Sequence, residues 1–169
     1  MIKLCEIYNE IKNQQPEMFC DMDGVIADFD LQFKNITGYL PKDYEQKFGK
    51  KKFWSVIPTD STKFWAELEW MPGGKQLWEY IKKYNPKLLS APSRHDSSRK
   101  GKQQWVDKHL PGVELILKAA KDKQEYAGPN KILIDDRQDN IDRWNAAGGI
   151  GIIYLSTDQV IDQLKQLGL

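Results

Sequence analysis

The sequence predicts an α/β fold: a parallel sheet covered by helices on both faces, with a small helical insertion after the first strand. Three observations predict it. Five short apolar stretches, at 17–20, 87–90, 113–117, 131–134 and 150–155, have the length of strands and are too short for helices. Amphipathic stretches at helical spacing separate them, and that alternation implies a parallel sheet buried on both sides. Three of the stretches run into polar residues, at Asp21/Asp23, Ser90 and Asp135/Asp136. Ligands of such sheets bind outside the carboxyl ends of the strands, so these ends open on one rim.

Each element has its own signal. Leu4, Ile7, Tyr8 and Ile11 mark an amphipathic helix over residues 2–14, ended by Pro16. The first strand leads into Asp21-Met22-Asp23-Gly24. From 31 to 71 the chain changes character. Aromatic residues including Phe33, Tyr44, Phe53, Trp54, Phe64 and Trp65 alternate with lysines, and no clean strand is visible. A few short helices with aromatic faces are expected there, closed by Met71-Pro72-Gly73-Gly74. Leu77, Tyr80 and Ile81 form the next helix face. The second strand ends at the breaker Ala91-Pro92-Ser93. A helix from 100 to 110 carries Trp105, Val106 and Leu110 on one side. A helix from 141 to 147 closes on Gly148-Gly149, and Ser156 or Thr157 caps the last one through Val160, Ile161, Leu164 and Leu167.

Bulk properties narrow the function classes. The chain has 169 residues, enough for one domain with a small insertion. A formal net charge of +1 argues against a protein built to coat nucleic acid. Cys5 and Cys20 show no metal-ligand spacing and are read as reduced core thiols. No apolar run approaches the roughly 18 residues of a membrane span. Lys3, Glu6, Glu10 and Lys12 stand where a signal peptide is apolar, so a cytoplasmic protein is expected.

The chemistry sits at the strand ends. Asp21 and Asp23 leave the first strand with Gly24 free to turn, and Asp135 and Asp136 arrive from the fourth. Four acids this close cannot all stay ionised alone. A hard divalent cation relieves the repulsion, and carboxylates, a carbonyl and waters are the ligands magnesium prefers. The bland alternative, that each pair caps a helix or satisfies a loop, holds for one pair far better than for two pairs and a hydroxyl together.

These residues bring a resemblance into view. The chain resembles the haloacid dehalogenase-like superfamily of phosphohydrolases: Asp21-Met22-Asp23-Gly24-Val25 matches its first motif and Ser90 its second. A lysine ahead of the fourth strand would be its third, and Asp135/Asp136 its fourth. The resemblance implies a three-layer, Rossmann-like core over 1–30 and 72–169 and a cap over 31–71. It implies Asp21 as a nucleophile forming an aspartyl-phosphate, Asp23 as general acid and then base, and Ser90 as a phosphoryl-oxygen ligand. The magnesium ligands would be Asp21, the Asp23 carbonyl and Asp136, with Asp135 helping directly or through water. For the lysine, Lys131 begins the fourth strand at the far end. Lys123 has room for a helical turn after the third strand and is chosen, with Lys121 and Lys118 behind it.

A closer resemblance narrows the substrate. Residues 21–30, the Phe53-Trp54 pair, Glu67 to Gly73 and Leu133 to Arg137 are similar to the cytosolic and mitochondrial 5'(3')-deoxyribonucleotidases. That family implies a nucleoside monophosphate as substrate and a base pocket of Phe29 and cap aromatics, here Phe53, Trp54 and Trp65. The chain departs from it at Ser90-Ala91-Pro92. Ala91 stands where the family has a phosphate-binding hydroxyl, and Ser93 or Arg94 would have to compensate. Trp70, Trp78, Trp105 and Trp144 are read as packing residues, Lys50-Lys51-Lys52 as a solvated face, and His109 as a helix-end residue favouring the dipole. No membrane and no stable nucleic-acid partner is expected; a homodimer stays open. The rival readings are a 3'-end nucleic-acid phosphatase, another small-molecule phosphatase or phosphotransferase of the superfamily, and an inactive phosphate-binding regulatory module.

Overall fold

The computed structural model describes residues 15–57 and 60–169. The helix expected over residues 2–14 and Cys5 lie outside them. Among the described residues five parallel strands form one sheet: β1 (Glu17–Cys20), β2 (Lys87–Ser90), β3 (Leu115–Leu117), β4 (Lys131–Asp135) and β5 (Ile150–Ile153), in the spatial order β3-β2-β1-β4-β5. The chain starts in the middle, winds out to one edge through β2 and β3, then returns to the other side through β4 and β5. The strand order reverses beside β1, where an open parallel sheet leaves a crevice for a ligand.

Strand alternation sorts the core into two layers. Met18 and Cys20 of β1 point to one face with Leu88, Ile132, Ile134 and Ile152. They pack against Leu77 and Ile81 of a helix over Gly74–Ile81 (here α5), Trp105 and Val106 of α6 (Asp96–His109), and Val160 and Leu164 of α8 (Thr157–Gln166). Phe19, between Met18 and Cys20, points the other way. It joins Leu89, Leu133 and the α7 (Gln138–Ala146) residues Ile141 and Trp144. Ser156 caps α8 by accepting from the Gln159 N–H. Trp105 and Trp144 are fully buried and Trp78 nearly so, as packing residues.

Two expectations are corrected here. The third strand begins at Leu115 rather than 113, because the Val113 N–H is taken by the Leu110 carbonyl in the preceding turn. His109 does end α6, but it is no dipole cation. Its Nδ1 accepts from Trp70 Nε1 at 3.2 Å, and burial, with Lys108 and Lys75 nearby, holds its pKa below the usual value.

Between β1 and α5 the described residues form four short helices, α1 (Phe29–Thr37), α2 (Pro41–Phe48), α3 (Lys50–Val56) and α4 (Thr62–Ala66). They share an aromatic core of Phe33, Tyr44, Phe53, Ile57, Phe64 and Trp65, separate from the core of the sheet. The two chain crossings into this insertion are bonded side by side: Asp28 N–H to the Glu69 carbonyl and Met71 N–H to the Ile26 carbonyl, both 2.8 Å. A second junction lies at Gly101 of α6. A Cβ there would run into the Thr62 carbonyl oxygen and sit 2.5 Å from the Trp65 Cβ, so only glycine lets α4 lie directly on α6. Among the described residues no helix is long and apolar enough to cross a membrane.

Candidate active site

The loop after β1 is fixed before any ligand arrives. Asp21 donates its backbone N–H to the Ile134 carbonyl at 2.9 Å, continuing the sheet by one bond. The Met22 carbonyl then gathers the N–H groups of Val25, Ile26 and Ala27 at 2.9–3.2 Å. This tight turn needs Gly24 at φ +77°, and a side chain there would meet the Asp136 carboxylate at 2.5 Å. Gly24 thus lets the loops after β1 and β4 approach each other.

Around that turn the structure gathers two buried lysines and four aspartates. Asp21 is 6% exposed. Its Oδ1 accepts from the Met22 N–H at 2.8 Å, and its Oδ2 lies 2.9 Å from Lys123 Nζ. Lys123 is supplied by the 3-10 turn Ala120–Tyr126 and reaches Asp135 Oδ2 at 2.7 Å as well. Burial works against its charge, but Asp21 and Asp135 outweigh that and hold its pKa above the usual value. Lys121 is exposed, and Lys118 pairs with Glu125 at 2.6 Å. Of the three candidates only Lys123 reaches the aspartates.

Asp135 is the most firmly anchored of the acids. Its Oδ1 accepts from the Arg137 N–H and its two oxygens share the Asn140 amide, at 2.9–3.0 Å. Asp136 has no such frame. Asp136 is exposed as a residue, but its carboxyl turns in beside Asp21 and Asp135, and partial loss of water there together with those two charges pushes its pKa up to about 7; burial and Asp21 push Asp135 up to about 6. Asp21, Asp135 and Asp136 each offer a carboxylate oxygen, all within 4.8 Å of one another. Four carboxylates against the two ammonium groups of Lys102 and Lys123 leave an excess of two negative charges. Hard oxygen donors and that charge balance fit one magnesium ion.

Lys102 was not anticipated. It is fully buried on α6, 2.6 Å from Asp23 Oδ2 and 3.1 Å from Ser90 Oγ. Burial raises the Asp23 pKa, Lys102 opposes this, and Asp21 adds to it, with a net upward shift. A signal was present in the sequence: Lys102 shares a helix face with Trp105 and Val106, three and four residues on, where an ordinary lysine has no reason to be.

A cavity of about 690 Å³ lies above this floor. It is lined by Asp21, Asp23, Lys123 and Asp136 below and by Phe29, Phe53, Trp54 and Trp65 above. The second-strand loop contributes Ala91, Pro92 and Ser93. Ser90 is buried beneath the cavity rather than in its wall. Arg94 does not line it. Ser93 is held back into the loop, its N–H on Ser98 Oγ and its hydroxyl accepting from the His95 N–H, and the exposed Arg94 is carried outward. Arg137 lines the cavity instead. The roof aromatics pack mainly on one another: Phe53 stacks on Phe33 at 4.7 Å and Phe29 on Trp65 at 5.6 Å.

Comparison with known proteins bears on the fold and on the family. A hydrolase of the haloacid dehalogenase superfamily from Ehrlichia chaffeensis is similar with a TM-score of 0.58 and 13% identity, covering 92% of this chain and 99% of its own. L-2-haloacid dehalogenase from Xanthobacter autotrophicus is similar with a TM-score of 0.54 and 10% identity, covering 90% and 83%. A predicted phosphatase from Clostridium acetobutylicum gives 0.53 and 11%, covering 90% and 100%. At these identities the likeness establishes the fold. No curated protein matches the chain in sequence. The family model described as "5' nucleotidase, deoxy (Pyrimidine), cytosolic type C protein" matches residues 15–163, nearly the whole described chain. The chain therefore belongs to that family.

Proposed function

We propose that the protein is a magnesium-dependent phosphomonoesterase acting on (deoxy)ribonucleoside monophosphates through an aspartyl-phosphate on Asp21. The observation that carries this reading is the position of Asp21. It lies in the wall of an aromatic-roofed cavity, its carboxylate held by Lys123 and its own loop. Asp21 attacks phosphorus, forming an acyl phosphate while the ester oxygen leaves. Asp23 gives that oxygen a proton and later takes one from the water that cleaves the acyl phosphate. A raised pKa suits an acid that must hold a proton before the first step. Lys123 and the Ser90 hydroxyl stabilise charge on the transferring oxygens. A magnesium ion held by Asp21, Asp136 and the Asp23 carbonyl, with Asp135 directly or through water, would neutralise charge on the phosphoryl group. Phe29, Phe53, Trp54 and Trp65 offer ring faces to a base.

The test is phosphate release with magnesium from deoxy- and ribonucleoside monophosphates, sugar phosphates and a 3'-phosphorylated oligonucleotide. Release from the monophosphates is expected, and Asp21→Asn should abolish it. Full activity in that variant would remove the nucleophile assignment. Release from the oligonucleotide alone would replace the nucleotidase reading with a nucleic-acid 3'-phosphatase.

A further inference from the structure

Lys102 stands apart from every other cation of the site. It is fully buried, and protein groups meet its ammonium on every side, so no N–H is left over for a substrate. Taking an ammonium group out of water costs several kcal/mol, and a methionine would fill the same volume without that cost. The lysine therefore needs a reason beyond packing. Its three N–H hydrogens have three partners. One meets Asp23 Oδ2 at 2.6 Å, one meets Ser90 Oγ at 3.1 Å, and the Trp65 ring lies 5.2 Å away on the third side, within cation–π reach.

Each contact constrains a group that handles the phosphoryl transfer. A hydroxyl has one hydrogen and two lone pairs. Lys102 uses a lone pair of Ser90 Oγ, so the Ser90 hydrogen must point away from the lysine, and it has no other acceptor among the described residues. It is left to donate to a phosphoryl oxygen. Asp23 lines the cavity but its Oδ1 is enclosed and has no hydrogen-bond partner, so Oδ2 is the oxygen left to meet the leaving group, and Lys102 fixes its direction. The close seat of α4 on α6 at Gly101, next in sequence to Lys102, keeps the Trp65 ring beside the ammonium.

We propose that Lys102 is a positioning residue, which aims the Asp23 carboxylate at the leaving oxygen and orients the Ser90 hydroxyl toward the phosphoryl group. It acts through them rather than on the substrate. The proposal rests on the phosphomonoesterase reading above for the reaction, and on contacts of this structure for the positioning.

The experiment compares wild type with Lys102→Met on two esters, using kcat/KM, which reports the chemistry only through release of the leaving group. A deoxyribonucleoside monophosphate leaves as a poor alkoxide and needs a well-aimed acid. p-Nitrophenyl phosphate leaves as a stable phenolate and does not. A misaimed acid should cost about 100-fold on the nucleotide, against a clearly smaller loss on the phenyl ester, which reports the Ser90 hydroxyl alone. Equal losses on both esters, or none on either, would overturn the proposal, since a merely structural lysine cannot tell the esters apart. Wild type inactive on both would instead overturn the phosphomonoesterase reading. A second measurement stands independently of turnover and of how well the variant folds: the crystal structure of wild type with magnesium and orthovanadate. Lys102 is expected to remain on Asp23, with Ser90 Oγ within hydrogen-bond distance of a vanadate oxygen. Lys102 bound directly to vanadate, or Ser90 turned away from it, would refute the positioning role.

Discussion

Lys123 and Phe53 face the same cavity from opposite sides and are held by different forces. Lys123 is fixed by two carboxylates at 2.7 and 2.9 Å, and those carboxylates are in turn fixed by backbone N–H groups and Asn140. Phe53 is fixed by other rings: Phe33 stacked at 4.7 Å, Trp54 edge-on at 5.0 Å, Phe29 at 6.5 Å. Charge pairs prescribe direction to a few tenths of an ångström, whereas ring packing prescribes volume and tolerates several geometries. The floor is therefore built for one reaction centre. The roof is built to be closed, apolar and adaptable, and changes on the two sides should have effects of different kind.

The largest effect is expected at the floor. Lys123→Met leaves Asp21 and Asp135 facing each other without their shared cation. Loss of that charge beside a transferring phosphoryl group should lower kcat by about 10²–10³-fold. Removing one partner of a buried ion pair costs about 3–5 kcal/mol in stability, less here to the extent that Asp135 takes up a proton. Steady-state kinetics with a melting curve measures both. An unchanged kcat would return Lys123 to a purely structural role.

How much of this was legible in the sequence follows the same division. The acids at 21, 23, 135 and 136 were readable because strands end where apolar runs end, and a parallel sheet brings those ends to one rim. Lys123 was readable only as a choice among three, through the resemblance, whose third motif asks for a lysine ahead of the fourth strand with room for a helical turn. Lys102 is harder to see: the apolar positions of its helix set the expected face, and one lysine standing on that face leaves the apolar period unchanged. Arg94 follows the second strand, and sequence position alone brings it near the substrate. Two bonds to Ser93, from its own N–H and into its own hydroxyl, turn that side chain out, and such local bonds have no signature in composition or spacing. In the insertion, the aromatic content was plain, but which rings face the cavity depends on how four helices pack. Phe53 and Trp54 are neighbours in sequence, yet one is 7% exposed and the other half-buried.

A smaller effect separates the floor's own acids. Asp136 and Asp135 hold their protons to about pH 7 and 6, against about 3.9 in an unfolded chain. Between roughly pH 4 and 7 the metal-free native state therefore binds more protons than the unfolded state. By linkage its stability falls as pH rises through that window. Magnesium at the proposed site would compete with those protons, so its stabilising effect should grow over the same range. Melting temperatures from pH 5 to 7.5, with and without magnesium, test this. The expected result is a magnesium-dependent rise in Tm that is small at pH 5 and largest at pH 7.5. A rise that is independent of pH would take Asp135 and Asp136 out of the metal site. Asp136→Asn should remove most of the pH dependence, whereas a surface change such as Asp162→Asn should leave it.

The smallest effect is expected at the roof, and it tests whether the rings there touch a ligand or only each other. Trp54 keeps part of its indole open to the cavity, while its partner Phe53 is 7% exposed and stacked on Phe33. Stacking of one base on one aromatic side chain contributes about 1–3 kcal/mol. Trp54→Ala should accordingly raise KM for a nucleoside monophosphate by about tenfold, with kcat nearly unchanged and with no change for a sugar phosphate that has no base to stack. Phe53→Ala removes a buried ring from the cap core and should instead lower Tm, with KM rising for both substrates as the roof loosens. If Trp54→Ala raised KM equally for the sugar phosphate, its ring would be closing the cavity rather than binding a base. The roof would then be packing throughout, and selectivity among phosphate esters would have to come from the floor alone.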